Sequence, residues 1–443
     1  MPRTLPVAVL ALIAAGLLAP QLPARQTDKA APKDAPKDKG KAAPQATTGF
    51  ARFRPQEIDT KINVGYAVVV ADVNGDGKPD LVVVDTDKVY WYENPGSAGP
   101  DWKRRTMIDK RTKPDNVCIA AADLDHDGKV DFVLGAGWKP FDTKVPGTLQ
   151  WLRRRASLEE PWEVHPIPCD EPTIHRIRFA DLDGDGKPQL VVAPIMGRDS
   201  TRAGNYMEHP VRLLAFVPPA DPAQGSWSVK AIDESLHVVH NICPVPAGSL
   251  GGAKDRKGSD LLTASYEGVT LFSRDAGGQW SARRIGEGYQ ESPLGHRGAS
   301  EVRAGKLANT PFVGTVEPFH GNRAVVYTPG TDPKKLWDRK VLDSRLRWGH
   351  AVWCADLDGD GSDELIVGVR DDPARGDEFT DRCGVRVYRS QDGSWRTWDR
   401  LLIDPGGVAV EDLTVADLDG DGRVDIIAVG RQTGNVKIYW NQK

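Results

Sequence analysis

Residues 416–429 read ADLDGDGRVDIIAV, and the stretch places Asp417, Asp419 and Asp421 at every second position. Three carboxylates so close repel one another unless a cation stands among them. A single copy would pass for a solvated acidic turn. The chain, however, repeats it: ADVNGDGKPDLVVV from Ala71, ADLDHDGKVDFVLG from Ala122, ADLDGDGKPQLVVA from Ala180 and ADLDGDGSDELIVG from Ala355. Each copy runs into a short apolar segment rich in β-branched residues, the mark of a buried strand.

A second motif follows each loop and persists where the loop itself is lost. It reads VYWY at Val89, TLQW at Thr148, VRLL at Val211, VTLF at Val269, AVVY at Ala324, VRVY at Val385 and VKIY at Val436, which makes seven repeats. A third element sets Trp five or six residues before an aliphatic: Trp102 to Ile108, Trp162 to Ile167, Trp227 to Ile232, Trp280 to Ile285, Trp337 to Leu342 and Trp398 to Ile403. Its seventh copy, FRPQEI with Phe53 five residues before Ile58, precedes the first acidic loop. A chain that begins with the last strand of a repeat and ends one strand short can complete its final sheet with its own N-terminal strand. Repeats of this length, each four short strands, predict an all-β, seven-bladed β-propeller of four-stranded blades over residues 50–443, closed so that no sheet edge is left free. The near absence of a 3.6-residue apolar period excludes a helical solenoid.

Ahead of that domain, Arg3 precedes an apolar run from Val7 to Ala19, too short to span a bilayer comfortably. Residues 1–24 are therefore expected to be an export signal, and the Lys, Pro and Ala of residues 25–49 a disordered linker with nothing large to bury. The expectation is an exported protein, secreted or periplasmic, with no stable membrane span after signal removal. A formal net charge of −4 gives no bias toward nucleic acid. The five cysteines are odd in number and lack CxxC spacing, against both a disulfide framework and a thiolate metal site.

Positions 1, 3, 5 and 9 of the loops carry oxygen donors: Asp72, Asn74, Asp76 and Asp80; Asp123, Asp125, Asp127 and Asp131; Asp181, Asp183, Asp185 and Gln189; Asp356, Asp358, Asp360 and Glu364; Asp417, Asp419, Asp421 and Asp425. Hard oxygen donors in this number suit Ca²⁺, and up to five structural calcium ions are expected, in blades one, two, three, six and seven. The spacing opens like an EF-hand, but position 12 is Val83, Leu134, Val192, Val367 or Ala428, none able to chelate. The fourth repeat keeps only Asp260, and the fifth has no acidic loop, so neither is expected to hold an ion. The loop followed by DLVVV or DIIAV resembles the FG-GAP or VCBS repeat, whose family fold is a calcium-bearing β-propeller.

The histidines have a pattern of their own. His175 in HRIRFAD and His350 in HAVWCAD both stand six residues before the first loop Asp, and His240 in HNICPVP holds the same place in the fourth repeat. Glu411 and Tyr66 are their equivalents in the last and first repeats. The start of an inner strand faces a propeller's axis, so these side chains are expected to converge there with His296 of GHRGASE and with Glu317 and His320 of EPFHGN. Imidazoles and carboxylates gathered on adjacent blades are what a catalytic or metal site requires.

The same segments, with YWYENPG, HVVHN, WGHAV and GGVAVEDL, are similar to the propeller domain of aldos-2-ulose dehydratase, a carbohydrate lyase. That resemblance implies water elimination from a keto-sugar or oxidised glycoside, with His175, His240, His296, Glu317, His320, His350 and Glu411 sharing the catalytic and cation-holding roles and a further divalent metal at the axis. The competing reading is a non-catalytic propeller that binds a glycan or a protein partner.

Overall fold

The computed structural model describes residues 50–252, 256–291, 296–371 and 380–442. The export signal and linker expected over residues 1–49 lie outside the described residues. Within them the chain forms 28 strands in seven antiparallel four-stranded sheets, and no helix occurs among the described residues.

Six sheets take their strands in chain order. Their inner strands are Ala67–Ala71, Cys118–Ala122, Ile174–Ala180, Asn241–Pro246, Glu301–Leu307 and Gly349–Ala355, in blades one to six. Blade seven is composite: its inner strand Val410–Ala416 is followed by Asp425–Gly430 and Val436–Asn441, and its outer strand is Phe53–Asp59 from the start of the domain. The register runs from Phe53 opposite Asn441 to Asp59 opposite Val436. Trp440 Nε1 also donates to Gln56 Oε1 at 2.7 Å, so the last third strand no longer offers an open edge. The fold and its mode of closure are those that the repeats imply.

Second strands such as Asp80–Val84, Asp131–Ala136 and Asp425–Gly430 are buried along their whole length, as expected of strands covered on both faces by neighbouring blades. Outer strands alternate or are largely exposed. The five cysteines are free, and none forms a disulfide.

Blades are also stapled to one another. The Tyr that ends several third-strand motifs sends its hydroxyl to a carboxylate on or just past the outer strand of the preceding blade: Tyr92 to Asp59 (2.7 Å), Tyr388 to Asp343 (3.0 Å) and Tyr439 to Asp404 (2.6 Å). A cation completes each clasp, namely Arg104 on Asp59, Arg400 on Asp343 and Lys437 on Asp404, at 2.8, 2.9 and 2.6 Å. Burial, then the adjacent carboxylate, raises the ionisation of all three phenols, so each stays a donor. Asparagines after the third strand add a second tie: Asn94 Nδ2 donates to the Leu418 carbonyl and Asn441 Nδ2 to that of Leu357, both in the preceding blade's acidic loop.

Because Tyr439 secures the blade that closes the ring, Tyr439→Phe is expected to lower unfolding stability by about 1.5–3 kcal/mol, the range for a hydrogen bond to a charged group. Denaturant titration measures this; an unchanged midpoint would mean that the clasp contributes nothing to closure.

Candidate functional site

Position on the inner strand decides what reaches the axis. In blades three, six and seven the first pairing of the inner strand slips by one residue. Ile174 pairs with Pro194 but Arg176 with Ala193; Gly349 with Val369 but Ala351 with Gly368; Val410 with Gly430 but Asp412 with Val429. The extra residues are His175, His350 and Glu411. A bulge re-aims the unpaired side chain away from the ladder, and here all three are the residues six before a loop Asp. His240 stands immediately before the inner strand of blade four.

Four imidazoles meet as a result. Ring centroids lie 4.5 Å apart for His175 and His240, 4.6 Å for His240 and His320, 5.1 Å for His240 and His350, and 4.9 Å for His320 and His350. His320 comes not from an inner strand but from the turn after Thr310–Glu317, where its backbone is held at φ 49°. That left-handed conformation is costly for a residue with a Cβ and persists only where packing imposes it. Gly321 beside it is obligatory, because a Cβ there would lie 2.1 Å from the Glu317 backbone.

Hydrogen bonds fix how the rings present themselves. His175 Nδ1 donates to the His240 carbonyl (3.2 Å), His240 Nδ1 to the Ser300 carbonyl (3.2 Å) and His350 Nδ1 to the Glu411 carbonyl (2.6 Å). A ring whose Nδ1 is tied to a carbonyl carries its lone pair on Nε2, the outer-shell arrangement of metal-binding histidines. His240 Nε2 lies 2.8 Å from His320 Nε2. One ligand atom each from His240, His320 and His350 falls within 4.8 Å of the others, so these three could hold one ion. A set of imidazole nitrogens suits zinc or a neighbouring transition ion rather than calcium.

The electrostatics agree with ligand-ready imidazoles. Burial pushes His175, His320 and His350 well below the usual histidine range, aided by Arg176 at His175, by His240 and His350 at His320 and by Arg370 at His350. Burial also lowers His240, although Glu301 opposes it. All four are therefore neutral at pH 7.

Glu301, absent from the sequence reading, completes the cluster together with the expected Glu411. Glu301 Oε1 lies 2.8 Å from His240 Nδ1 and 3.9 Å from Arg176 Nη2, and Asn241 donates to its other oxygen. Burial alone would raise Glu301, but His240 and Arg176 outweigh it and hold the carboxyl below its ordinary value. Glu411 pairs with Arg370 and Arg431, each at 3.0 Å, and its Oε2 is 4.0 Å from His350 Nε2. Trp138 and Trp348 flank the histidines, against His175 (5.1 Å) and His320 (5.0 Å). Of the remaining predicted residues, His296 packs on Phe319 at 5.4 Å, and Phe319 in turn meets the edge of His240. Glu317 is not brought into the cluster: its carboxylate accepts from Tyr327 (2.6 Å) and Arg339 (2.5 Å), both within its own blade.

In the acidic loops, position 1 caps the turn. Asp72 accepts the N–H groups of Gly75, Asp76 and Gly77, and Asp181, Asp356 and Asp417 accept the same three in their own loops. Position 9 is buried beneath and fastens the loop: Asp80 accepts from Val73 and Asn94, Asp131 from Leu124 and Arg154, Asp425 from Leu418 and Asn441, Gln189 from Leu182 and Glu364 from Leu357. Carboxylate oxygens converge within 4.8 Å in three loops, from Asp123, Asp125 and Asp127, from Asp356, Asp358 and Asp360, and from Asp417, Asp419 and Asp425.

Known proteins add to this picture. Residues 146–330 match the family model described as the aldos-2-ulose dehydratase β-propeller domain, and residues 55–134 and 356–428 match the FG-GAP-like repeat. Aldos-2-ulose dehydratase from Phanerodontia chrysosporium is 28% identical over 300 residues, which is 64% of this chain and 32% of that enzyme. The chain thus spans about a third of the curated relative's length. Two crystal structures of BBS1N in complex with ARL6DN share the fold at 14% identity, with TM-scores of 0.50 and 0.52; both cover 89% of this chain, with 97% and 98% of that one.

Histidines held neutral bind fewer protons folded than unfolded once the pH drops below about 6.5, so stability must fall on acidification through that value. In calcium buffer and without transition metal, each such ring contributes a slope of about 1.4 kcal/mol per pH unit below about 6.5 until its folded value is reached. Denaturant unfolding of His175→Asn and His350→Asn between pH 7 and 5 should show correspondingly shallower slopes. Slopes equal to that of the native chain would mean that these rings are not buried neutral.

Proposed function

We propose that this propeller, whose residues 55–134 and 356–428 match the FG-GAP-like repeat and whose residues 146–330 match the aldos-2-ulose dehydratase propeller domain, is an exported, calcium-braced lyase that eliminates water from keto-sugars or oxidised glycosides at the axial histidine cluster. The observation that carries the reading is the convergence of four neutral imidazoles, three with Nδ1 tied to backbone carbonyls.

His240, His320 and His350 would hold a divalent ion, and the chemistry it would supply is polarisation of a ketone carbonyl, which would acidify the α-hydrogen. His175 stands outside that set, and burial keeps it unprotonated, so it takes the α-proton, the β-carbon–oxygen bond breaks as the C=C bond forms, and the imidazolium returns the proton to the departing hydroxyl, which leaves as water. Its Nε2, which Arg176 approaches at 3.3 Å, is the accepting atom. Glu411 with Arg370 and Arg431 lies beside His350 and positions the sugar hydroxyls. Glu301 holds the His240 ring in place from behind.

The acidic loops of blades one, two, three, six and seven hold calcium and brace the hairpins. Burial raises Asp80, Asp131 and Asp425 to about 6 and Glu364 to about 8, a penalty that a divalent cation offsets. In blade four Arg256 pairs with Asp260 and donates to the Leu182 carbonyl, so a guanidinium stands where the other blades place a loop cation.

Ultraviolet detection of an enone product from a panel of 2-keto and 3-keto sugars tests the activity. His240→Ala and His350→Ala are expected to lose turnover by at least about a hundredfold while unfolding at a comparable midpoint in calcium. Unchanged turnover would remove the site from the chemistry, and saturable sugar binding by the native chain without any enone would make it a glycan-binding propeller. Chelation of calcium is expected to lower the melting temperature, since each site filled at a hundred times its Kd adds about 2.7 kcal/mol. Asp417→Asn/Asp421→Asn should reduce the calcium stoichiometry by one; an unaltered melting temperature after chelation would refute the bracing role.

A further inference from the structure

The axial channel has a second end. The residue three before the first loop Asp is Val69, Ala120, Arg178, Trp353 or Thr414 in the blades that keep the loop, and all five line one cavity of about 370 Å³. Arg178 lies three residues beyond His175 on the same strand, about 10 Å along it at 3.3 Å per residue. This cavity is therefore distinct from the histidine cluster.

Two guanidiniums gather here with a single acid, Asp412, near Arg178. Arg178 donates to the Ile177 carbonyl at 2.9 Å and Arg303, which is 7% exposed, to the Val302 carbonyl at 3.0 Å. Among the described residues neither has an Asp or Glu oxygen within 4.0 Å, although both keep several N–H donors. Arg303 lies over the ring of Trp353, 4.5 Å from its centroid, and Trp353 itself lines the cavity. Burial and the like charge of Arg303 push Arg178 down to about 10, so it remains charged at neutral pH. The nearby acid, Asp412, lines the cavity but already accepts from Val68 (3.1 Å) and Leu413 (3.0 Å). Arg303 is buried and Arg178 half-buried, and holding two such cations side by side is costly unless an anion joins them.

We propose that this end of the channel binds a small organic monocarboxylate of sugar-acid size, its carboxylate between Arg178 and Arg303 and its body against Trp353 and Thr414. A planar carboxylate matches the guanidinium fork. Two arginines against Asp412 leave one positive charge, which a monoanion neutralises, whereas a phosphate dianion would leave an excess negative charge beside Asp412. The site does not depend on the lyase reading.

Calorimetric titration of the full chain with D-glucuronate, D-glucose and inorganic phosphate tests this. Glucuronate should bind with one site per chain and more tightly than phosphate, with glucose showing no binding. Arg178→Gln and Arg303→Gln should each weaken glucuronate by at least about tenfold, the lower end of the cost of losing a charge-assisted hydrogen bond. Asp412→Asn should tighten it, and Arg178→Lys, which keeps the charge without the fork, should weaken it less than the Gln variant. The proposal is overturned if glucuronate binds no better than glucose, if phosphate binds as tightly, or if His240→Ala abolishes binding while Arg178→Gln and Arg178→Lys retain it.

Discussion

Everything at the hub depends on a pairing at the rim. Seven twisted sheets share one axis only if the last sheet finds its fourth strand, and here Phe53–Asp59 supplies it against Val436–Asn441. That antiparallel pairing fixes the angular place of every blade. It thereby sets how far apart the starts of the inner strands lie, and the Tyr–carboxylate–cation clasps hold the spacing from blade to blade. Residues 65 and 110 positions apart in sequence, His175 to His240 and His240 to His350, become neighbours because of it.

Within that geometry a local irregularity does the aiming. A regular ladder at the top of the inner strand would send alternate residues into the interface between blades. The one-residue slips at His175, His350 and Glu411 free those side chains from the alternation. The same buried environment that keeps the rings neutral makes their lone pairs available, so burial and reactivity arise from one cause. The two ends of the channel then differ in kind: neutral nitrogen donors at one, cationic guanidiniums at the other.

Much of this was legible from spacing alone. The recurrence of DxDGDG-like loops, of VxxY third strands and of Trp-led outer strands specified the blades, and FRPQEI ahead of the first loop specified closure. The count of six residues back from the first loop Asp located His175 and His350, and the matching place in the fourth repeat located His240. What spacing could not reveal are contacts made between blades. Glu301 opens the inner strand of blade five, whose repeat has no acidic loop to count back from, yet the packing of blade five beside blade four brings it to His240. Glu317 shares a hexapeptide with His320 but ends a strand whose side chain turns toward Tyr327 and Arg339. Arg178 follows His175 so closely that it reads as part of HRIRF, and only the cavity separates their roles. Position 9 of each loop looks like one more oxygen donor in a list, whereas its burial beneath the turn also makes it the acceptor of the loop's own N–H groups.

The most direct measurement on the hub is anomalous diffraction at the zinc edge from crystals grown in calcium with one equivalent of zinc. A closed ring that focuses ligand-ready imidazoles on its axis predicts a single strong peak bonded to Nε2 of His240 and His350 and to His320, with zinc–nitrogen distances of about 2.0–2.1 Å. Zinc found only at the acidic loops or the surface, with the four rings unchanged around no ion, would contradict it.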